Sequence, residues 1–181
     1  MEEKLANAQD LVLLSDMSRQ KLLDLILMQV RNIFRVDGLY FLEIEEEFGT
    51  AAAIRIDEQC WKTMAAIEAR DVRKLLDKTQ FTIPDIMNAL RFTCWSLDHK
   101  DKEIETSQKR GIFRVTHCRT QLTRRRKGLS EFPCKTVRYE YLKTFASELN
   151  PNIDVICNVC PPDKHPEELW CEWEFRLREQ A

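Results

Sequence analysis

Two hydrophobic periods divide the chain. Near its end, Leu169, Cys171, Trp173, Phe175 and Leu177 alternate with Trp170, Glu172, Glu174 and Arg176, the period-two pattern of a strand with one buried face. Cys171 is therefore expected to point inward. The first half repeats at helical spacing instead. Ser18 can cap a helix from Lys21 to about Phe34, apolar over most of its circumference and so expected to be buried. Val36-Asp37-Gly38 is expected to break or bend it, and Leu39 to Phe48 resumes helically up to a natural stop at Gly49. Thr50 then caps a longer helix, Ala51 to about Leu76, with Ile56, Cys60, Met64 and Ile67 on a single face. Thr82 is placed to cap a short helix reaching Leu90, with Pro84 in its first turn.

Beyond Arg91 the pattern shortens. Phe92 to Leu97, Glu103 to Ser107 and Ile112 to Cys118 read as strands of an antiparallel meander. Arg119 to Lys127 reads as a basic helix ended by Gly128. Cys134 opens another helix to about Leu149, with Val137, Tyr141 and Phe145 on one face. The last two strands form a hairpin around Pro161 to Pro166. Helices first and strands after predict an α+β fold, with N-terminal helices packed on an antiparallel sheet of about five strands. Residues 1–181 suit a single domain, mainly helical over 1–91, with the sheet, an inserted helix and a Cys-rich closing hairpin over 92–181.

Charge changes this picture little. A net charge of -2 gives no global reason to expect nucleic acid, and the apolar run Leu11 to Leu14 is far too short for a signal segment or membrane span. A cytoplasmic protein is the expectation. Its seven cysteines, an odd number, suit thiols or metal ligands in a reducing compartment better than a disulfide frame. Only four glycines are present, and no Walker, GxGxxG, GxSxG or HExxH pattern occurs.

Five of the cysteines fall between Gly111 and Leu177. The spacing Cys157-x2-Cys160-x4-His165-x5-Cys171 is similar to a zinc knuckle, off by one residue and without its glycines. Residues three apart on a regular strand face opposite sides, so Cys157 and Cys160 could share a metal only if the strand ended between them. Otherwise they pack as small apolar groups. A second set, Cys118, Cys134 and Cys171, lies at the ends of different elements, where a fold gathers distant residues. These thiolates could hold zinc or iron, or Cys118 or Cys134 could act as a nucleophile. His117 would face away from Cys118 on a strand and is a weak base for it.

Carboxylates and arginines complete the candidates. Glu43 and Glu47 share a helical face, with Glu46 beside them, and Asp57 follows on the next helix, so two antiparallel helices could present carboxylates to each other. Glu43, between Leu42 and Ile44, is the candidate acid or base. Within the basic cluster Arg119, Arg124, Arg125, Arg126 and Lys127, Arg124 is the candidate to hold a ligand carboxylate.

The runs Arg-Val-Thr-His-Cys118-Arg-Thr-Gln, Gly-Leu-Ser-Glu-Phe-Pro-Cys134-Lys, Asn-Pro-Asn-Ile-Asp and Leu-Trp-Cys171-Glu-Trp-Glu-Phe together resemble the C-terminal half of the aminothiazoline carboxylate hydrolase-like family. More distantly they are similar to the vinyl-reductase-type small-molecule-binding domain. Leu-Ser-Asp-Met-Ser-Arg and Gly-Leu-Tyr-Phe-Leu-Glu43-Ile-Glu-Glu-Glu-Phe-Gly, with Ile-Asp57-Glu-Gln-Cys-Trp61, resemble a group of bacterial and archaeal cytosolic proteins. The resemblance implies a small-molecule pocket with cysteines at Cys118, Cys134 and Cys171 and, in the hydrolase relatives, opening of a thiazoline ring. Those relatives tend to carry an acidic residue shortly after the second cysteine, where this chain has Lys135, Thr136, Val137 and Arg138.

Two functions follow as expectations. One is a small-molecule or metal-binding protein that carries out thiolate- or metal-assisted hydrolysis of a small carboxylated substrate. The other is a non-catalytic ligand sensor acting as a homodimer through its N-terminal helices, with no nucleic-acid or membrane partner. A sensor should expose an apolar helical face; an enzyme should show a depressed thiol pKa in an open cleft.

Overall fold

Capping and glycine chemistry set the helical half. A computed structural model describes residues 7–178. A short helix α1 (Ala8–Ser15) begins at Asn7, whose side chain accepts from the Asp10 amide. Helix α2 (Arg19–Phe48) is capped by Ser18, whose hydroxyl accepts from the Lys21 amide, and stops at Gly49. Gly49 has φ +81°, a left-handed conformation that glycine adopts without a Cβ penalty, and helix α3 (Thr50–Leu75) departs from it at once.

Three helical expectations are corrected. Val36-Asp37-Gly38 does not break α2, which runs for 30 residues without interruption. An interior glycine costs about 1 kcal/mol of helix propensity, and contacts to α3 just before Gly38 offset it: Phe34 stacks on Trp61 with ring centroids 5.3 Å apart, and the Trp61 indole donates to Asp37 at 3.0 Å. Nor is α2 buried. Only Val30 and Phe41 are, while Leu23, Ile26, Leu27, Ile33, Val36 and Leu39 stay exposed, because α2 packs along one stripe only. On α3 the buried stripe is Ala53, Asp57, Trp61, Ala65, Glu68, Ala69 and Val72, and Ile56, Cys60 and Ile67 face solvent. Small alanines let the neighbouring backbone approach, and that decides the face over bulkier side chains elsewhere.

Helix α4 (Ile83–Leu90) carries a complete capping box between Thr82 and Asp85. Phe92 to Leu97, expected as a strand, contains instead a helical turn, α5 (Cys94–Asp98), capped by Thr93. Its first amide, at Cys94, donates to the buried Glu68 carboxylate at 2.8 Å. The sheet consequently has four strands rather than five: β1 (Lys102–Thr106), β2 (Arg110–Val115), β3 (Ile153–Val159) and β4 (Cys171–Leu177), all antiparallel in the order β1-β2-β4-β3. Helix α6 (Arg119–Arg126) follows β2, and helix α7 (Lys135–Leu149) precedes β3. The α+β class is as the patterning predicts.

Helices α7 and α4 meet one face of the sheet, and α3 packs on α7. Phe113, Val115, Cys171, Trp173 and Phe175 join Tyr141, Leu142 and Phe145 of α7 in one core. At Gly111 a Cβ would lie 2.4 Å from the Met87 sulfur of α4, so any larger residue there would force the Met87 side chain to shift. Tyr141 donates to the second oxygen of Glu68 at 2.6 Å, which completes the pairing of this buried carboxylate. The strand ladder of β3 loses its regular register between Cys157 and Val159. Among the described residues no helix is long and apolar enough to cross a membrane.

Candidate functional site

Residues of α2, of α6 and the segment after it, and Asp57 of α3 line a cavity of about 370 Å³. Its apolar wall is Phe34, Leu39, Phe41 and Leu42 of α2 with Leu129 and Phe132 of the segment after α6; Arg35, Arg119, Arg124 and Lys127 supply cations. The remaining charged groups are Asp37 of α2 and Asp57, the sole contribution of α3. This size and mixture suit a small metabolite-sized ligand.

Asp37 and Asp57 form a carboxyl pair. Their carboxyls lie close enough to influence each other's protonation, and Trp61 donates to Asp37 at 3.0 Å. Burial, and then the charge of Asp37, push Asp57 up to about 7; burial raises Asp37 as well, against the hydrogen bond from Trp61 and the nearby Arg138 charge. Two neighbouring carboxyls resist ionising together, so the pair holds its last proton up to about pH 7. Arg138 of α7 explains the balance. It is buried, its guanidinium lies 5.2, 4.7 and 4.8 Å from the ring centroids of Trp61, Trp95 and Tyr141, and its Nη1 has no hydrogen-bond partner. One buried cation offsets one carboxylate, and the second carboxyl keeps its proton.

Arg124 lines the cavity but is already occupied. Its two amino groups bind Glu45 at 2.8 and 3.0 Å, and its Nε donates to the Ser130 carbonyl at 2.7 Å. It clamps α6 to α2, and this charge-assisted fork holds Glu45 below the usual carboxylate range. Arg119 is held likewise by Asp98 at 2.6 Å. Arg35 and Lys127 have no ion-pair partner among the described residues and are the free cations of the rim. Glu43 is exposed and does not line the cavity, nor do Glu46 and Glu47. Two helices do present carboxylates to each other as expected, with Asp37 rather than Glu43 opposite Asp57.

The cysteines gather elsewhere. Cys134, immediately before α7, lies with its sulfur 3.5 Å from that of Cys160, and Cys157 interacts with Cys160 in turn. Cys118 and Cys171 flank Cys134 closely enough to sense its charge. Burial, then Cys134, pushes Cys118 up to about 12, and burial raises Cys171 well above its ordinary value. The hydrogen bond from Cys160 lowers both Cys134 and Cys157 and raises Cys160 itself. No cysteine lines the cavity.

Nor is a coordination sphere ready-made. Among the described residues no group of three or more His, Cys, Asp or Glu side chains is arranged to hold a metal ion. This applies to the Cys118, Cys134 and Cys171 set and to Cys157, Cys160, His165 and Cys171 alike. In the latter, His165 turns to the Pro166 carbonyl and Glu131, at 2.9 and 3.2 Å. His117 is exposed.

Residues 15–177 match the model of a family of unknown function, DUF6125. The chain belongs to DUF6125. No curated protein and no solved structure matches it. The matched span of this DUF6125 chain includes every residue of the cavity and all five clustered cysteines. The family description carries no activity, so the chemistry rests on the geometry. Arg35, Asp37 and Arg138 are among the residues that sequence reasoning missed. One signal was readable: Asp37 interrupts an apolar helix four residues before Phe41 and three after Phe34, where a carboxyl must find a partner. Arg138, beside the Val137 and Tyr141 stripe, gave no comparable sign.

Proposed function

We propose that the protein binds a small carboxylated molecule in the cavity between α2, α3 and α6. The observation that carries this reading is that one cavity brings together the carboxyls of Asp37 and Asp57 and two cations free of ion pairs among the described residues. Lys127 and Arg35 would take the ligand carboxylate, the aromatic wall its body, and Asp37 with Asp57 a hydrogen-bonding group at its other end. The exposed apolar positions of α2 favour a binding module over an isolated enzyme, because the helix that forms the cavity wall also offers Leu23, Ile26, Leu27 and Ile33 for a second copy in a homodimer. On this reading the protein works in the cytoplasm.

A thermal-shift screen of small mono- and dicarboxylic acids at pH 6.5 tests the reading. A ligand at a hundred times its Kd stabilises by about 2.7 kcal/mol, roughly 5–10 °C for a chain of this size. The rise should disappear in Asp57→Leu and in the double variant Arg35→Ala, Lys127→Ala. No shift with any acid, or a shift retained in both variants, would contradict it. Hydrolysis is the second reading, favoured by the titration of Asp57 near neutrality, which lets the pair both give and take a proton at working pH. Turnover of a carboxylated ester, amide or cyclic amidine would then fall as pH rises through about 7 and vanish in Asp57→Asn.

A further inference from the structure

Outside the cavity, the densest unassigned chemistry is the thiol group at the start of α7. The Cys134 and Cys160 sulfurs are in van der Waals contact at 3.5 Å, some 1.5 Å beyond a disulfide bond. The backbones that carry them are tied together as well: the amide of Lys135, next to Cys134, donates to the carbonyl of Pro161, next to Cys160, at 3.0 Å. The thiols come from different elements, one before α7 and one just after β3, so thermal drift does not separate them unless that tie breaks. Cys160 is fully buried. Cys157 is only half-buried and stands three residues before Cys160, where β3 loses its regular register. The group thus has a route to solvent at one end and a closed pair at the other.

A second link runs toward the cavity. Gln121 of α6 is buried, donates weakly to the Cys134 sulfur at 3.7 Å and holds Phe132 at both backbone groups, with its Nε2 donating to the Phe132 carbonyl at 2.7 Å and its Oε1 accepting from the Phe132 amide at 2.8 Å. Phe132 is cavity wall, packed edge-on against Phe41 at 4.8 Å.

We infer that Cys134 and Cys160 are an oxidative modification site, closed to a disulfide by a hydroperoxide that enters at Cys157, and that closure loosens the Gln121 hold on Phe132. The electron count closes in three steps. The Cys157 thiolate attacks a peroxide oxygen, an S–O bond forms as O–O breaks, and with a proton one water leaves. The Cys160 thiol attacks the resulting sulfenic sulfur, S–S forms as S–O breaks, and a second water leaves. The Cys134 thiolate then attacks Cys160, and Cys157 departs as thiolate. Two thiols lose two electrons and two protons, and one peroxide becomes two waters. That the loosened Phe132 alters ligand binding rests on the cavity reading above; the disulfide itself does not.

The experiment treats the intact, reduced protein with one equivalent of hydrogen peroxide and maps thiols and cross-linked peptides by mass spectrometry. Two of the seven thiols should be lost, a 134–160 cross-link should appear, and dithiothreitol should reverse both. Cys157→Ser should slow the loss about tenfold. A cross-link elsewhere, only sulfinic products, or wild-type kinetics in Cys157→Ser would overturn the site and its entry route. Amide hydrogen exchange of the oxidised wild type tests the second half: faster exchange at Phe132 is expected, and unchanged protection there would refute the link to the cavity wall. The mapping uses wild-type protein, so it stands even where a cysteine variant fails to fold.

Discussion

The cavity and the thiol cluster lie to either side of Gln121, and both bury ionisable groups around the same cation. Arg138 lowers the carboxyls of the one and Cys118, Cys134 and Cys171 in the other. They differ in what burial does to the proton. For a carboxyl, burial and a like-charged neighbour raise an acid toward neutrality, so Asp57 becomes a group that titrates at working pH. For a thiol the same burial drives Cys118 and Cys171 away from neutrality. Asp57 is thus placed to titrate near pH 7, whereas Cys118 and Cys171 stay protonated there.

The sharpest way to break the comparison is to remove the shared cation. Arg138→Met should destabilise by about 3–5 kcal/mol in urea unfolding, since one partner of a buried charge set is lost, and should make both regions more dependent on pH. A loss under 1 kcal/mol would show that Arg138 does not organise them. The carboxyl side alone sets the next effect. Asp57 ionises at about 7 when folded and near 3.8 when unfolded, so between these values the folded state holds the extra proton. Stability is then highest at the acid end of the window and falls as pH rises through about 7, by no more than about 4 kcal/mol. Asp57→Asn should flatten that slope and be the more stable protein at pH 8; a wild type whose stability rises from pH 5 to 8 would count against the pair.

Smaller changes sharpen the boundary between the regions and the core. Tyr141→Phe removes the donor to Glu68 and should cost about 2 kcal/mol through a buried acceptor left unpaired, without moving the Asp57 titration. Lys127→Ala should leave stability within about 0.5 kcal/mol, as for an exposed side chain with no partner, yet weaken carboxylate binding about tenfold. A stability change larger than that, with binding intact, would reverse the roles assigned to it.

How far the residues announced these regions differs in the same way. The concentration of cysteines after Gly111 was readable, but their pairing was not: Cys134 and Cys160, with sulfurs 3.5 Å apart, stood in different expected sets. The caps at Ser18 and Thr82, the α7 stripe and the alternation of β4 were equally plain, since each depends on local chemistry alone. The cavity was not readable. Its two aspartates are twenty positions apart on helices whose contact face is chosen by alanines, and hydrophobic spacing favoured Ile56, Cys60 and Ile67 over Ala53, Asp57 and Trp61. The Phe92 to Leu97 run misled for a related reason: its Cys94 amide is satisfied by Glu68, a partner 26 residues upstream, and local propensity carries no trace of it.

One measurement addresses the carboxyl pair directly. Infrared difference spectra of the wild type and Asp57→Asn, titrated from pH 5 to 9, report the protonated carboxyl stretch free of other titrating groups. The wild type should show a carboxylic acid band that disappears with a midpoint near 7, and the variant should lack it. Carboxyls fully ionised at pH 5, or an identical band in the variant, would contradict a one-proton Asp37–Asp57 pair and with it the site built around that pair.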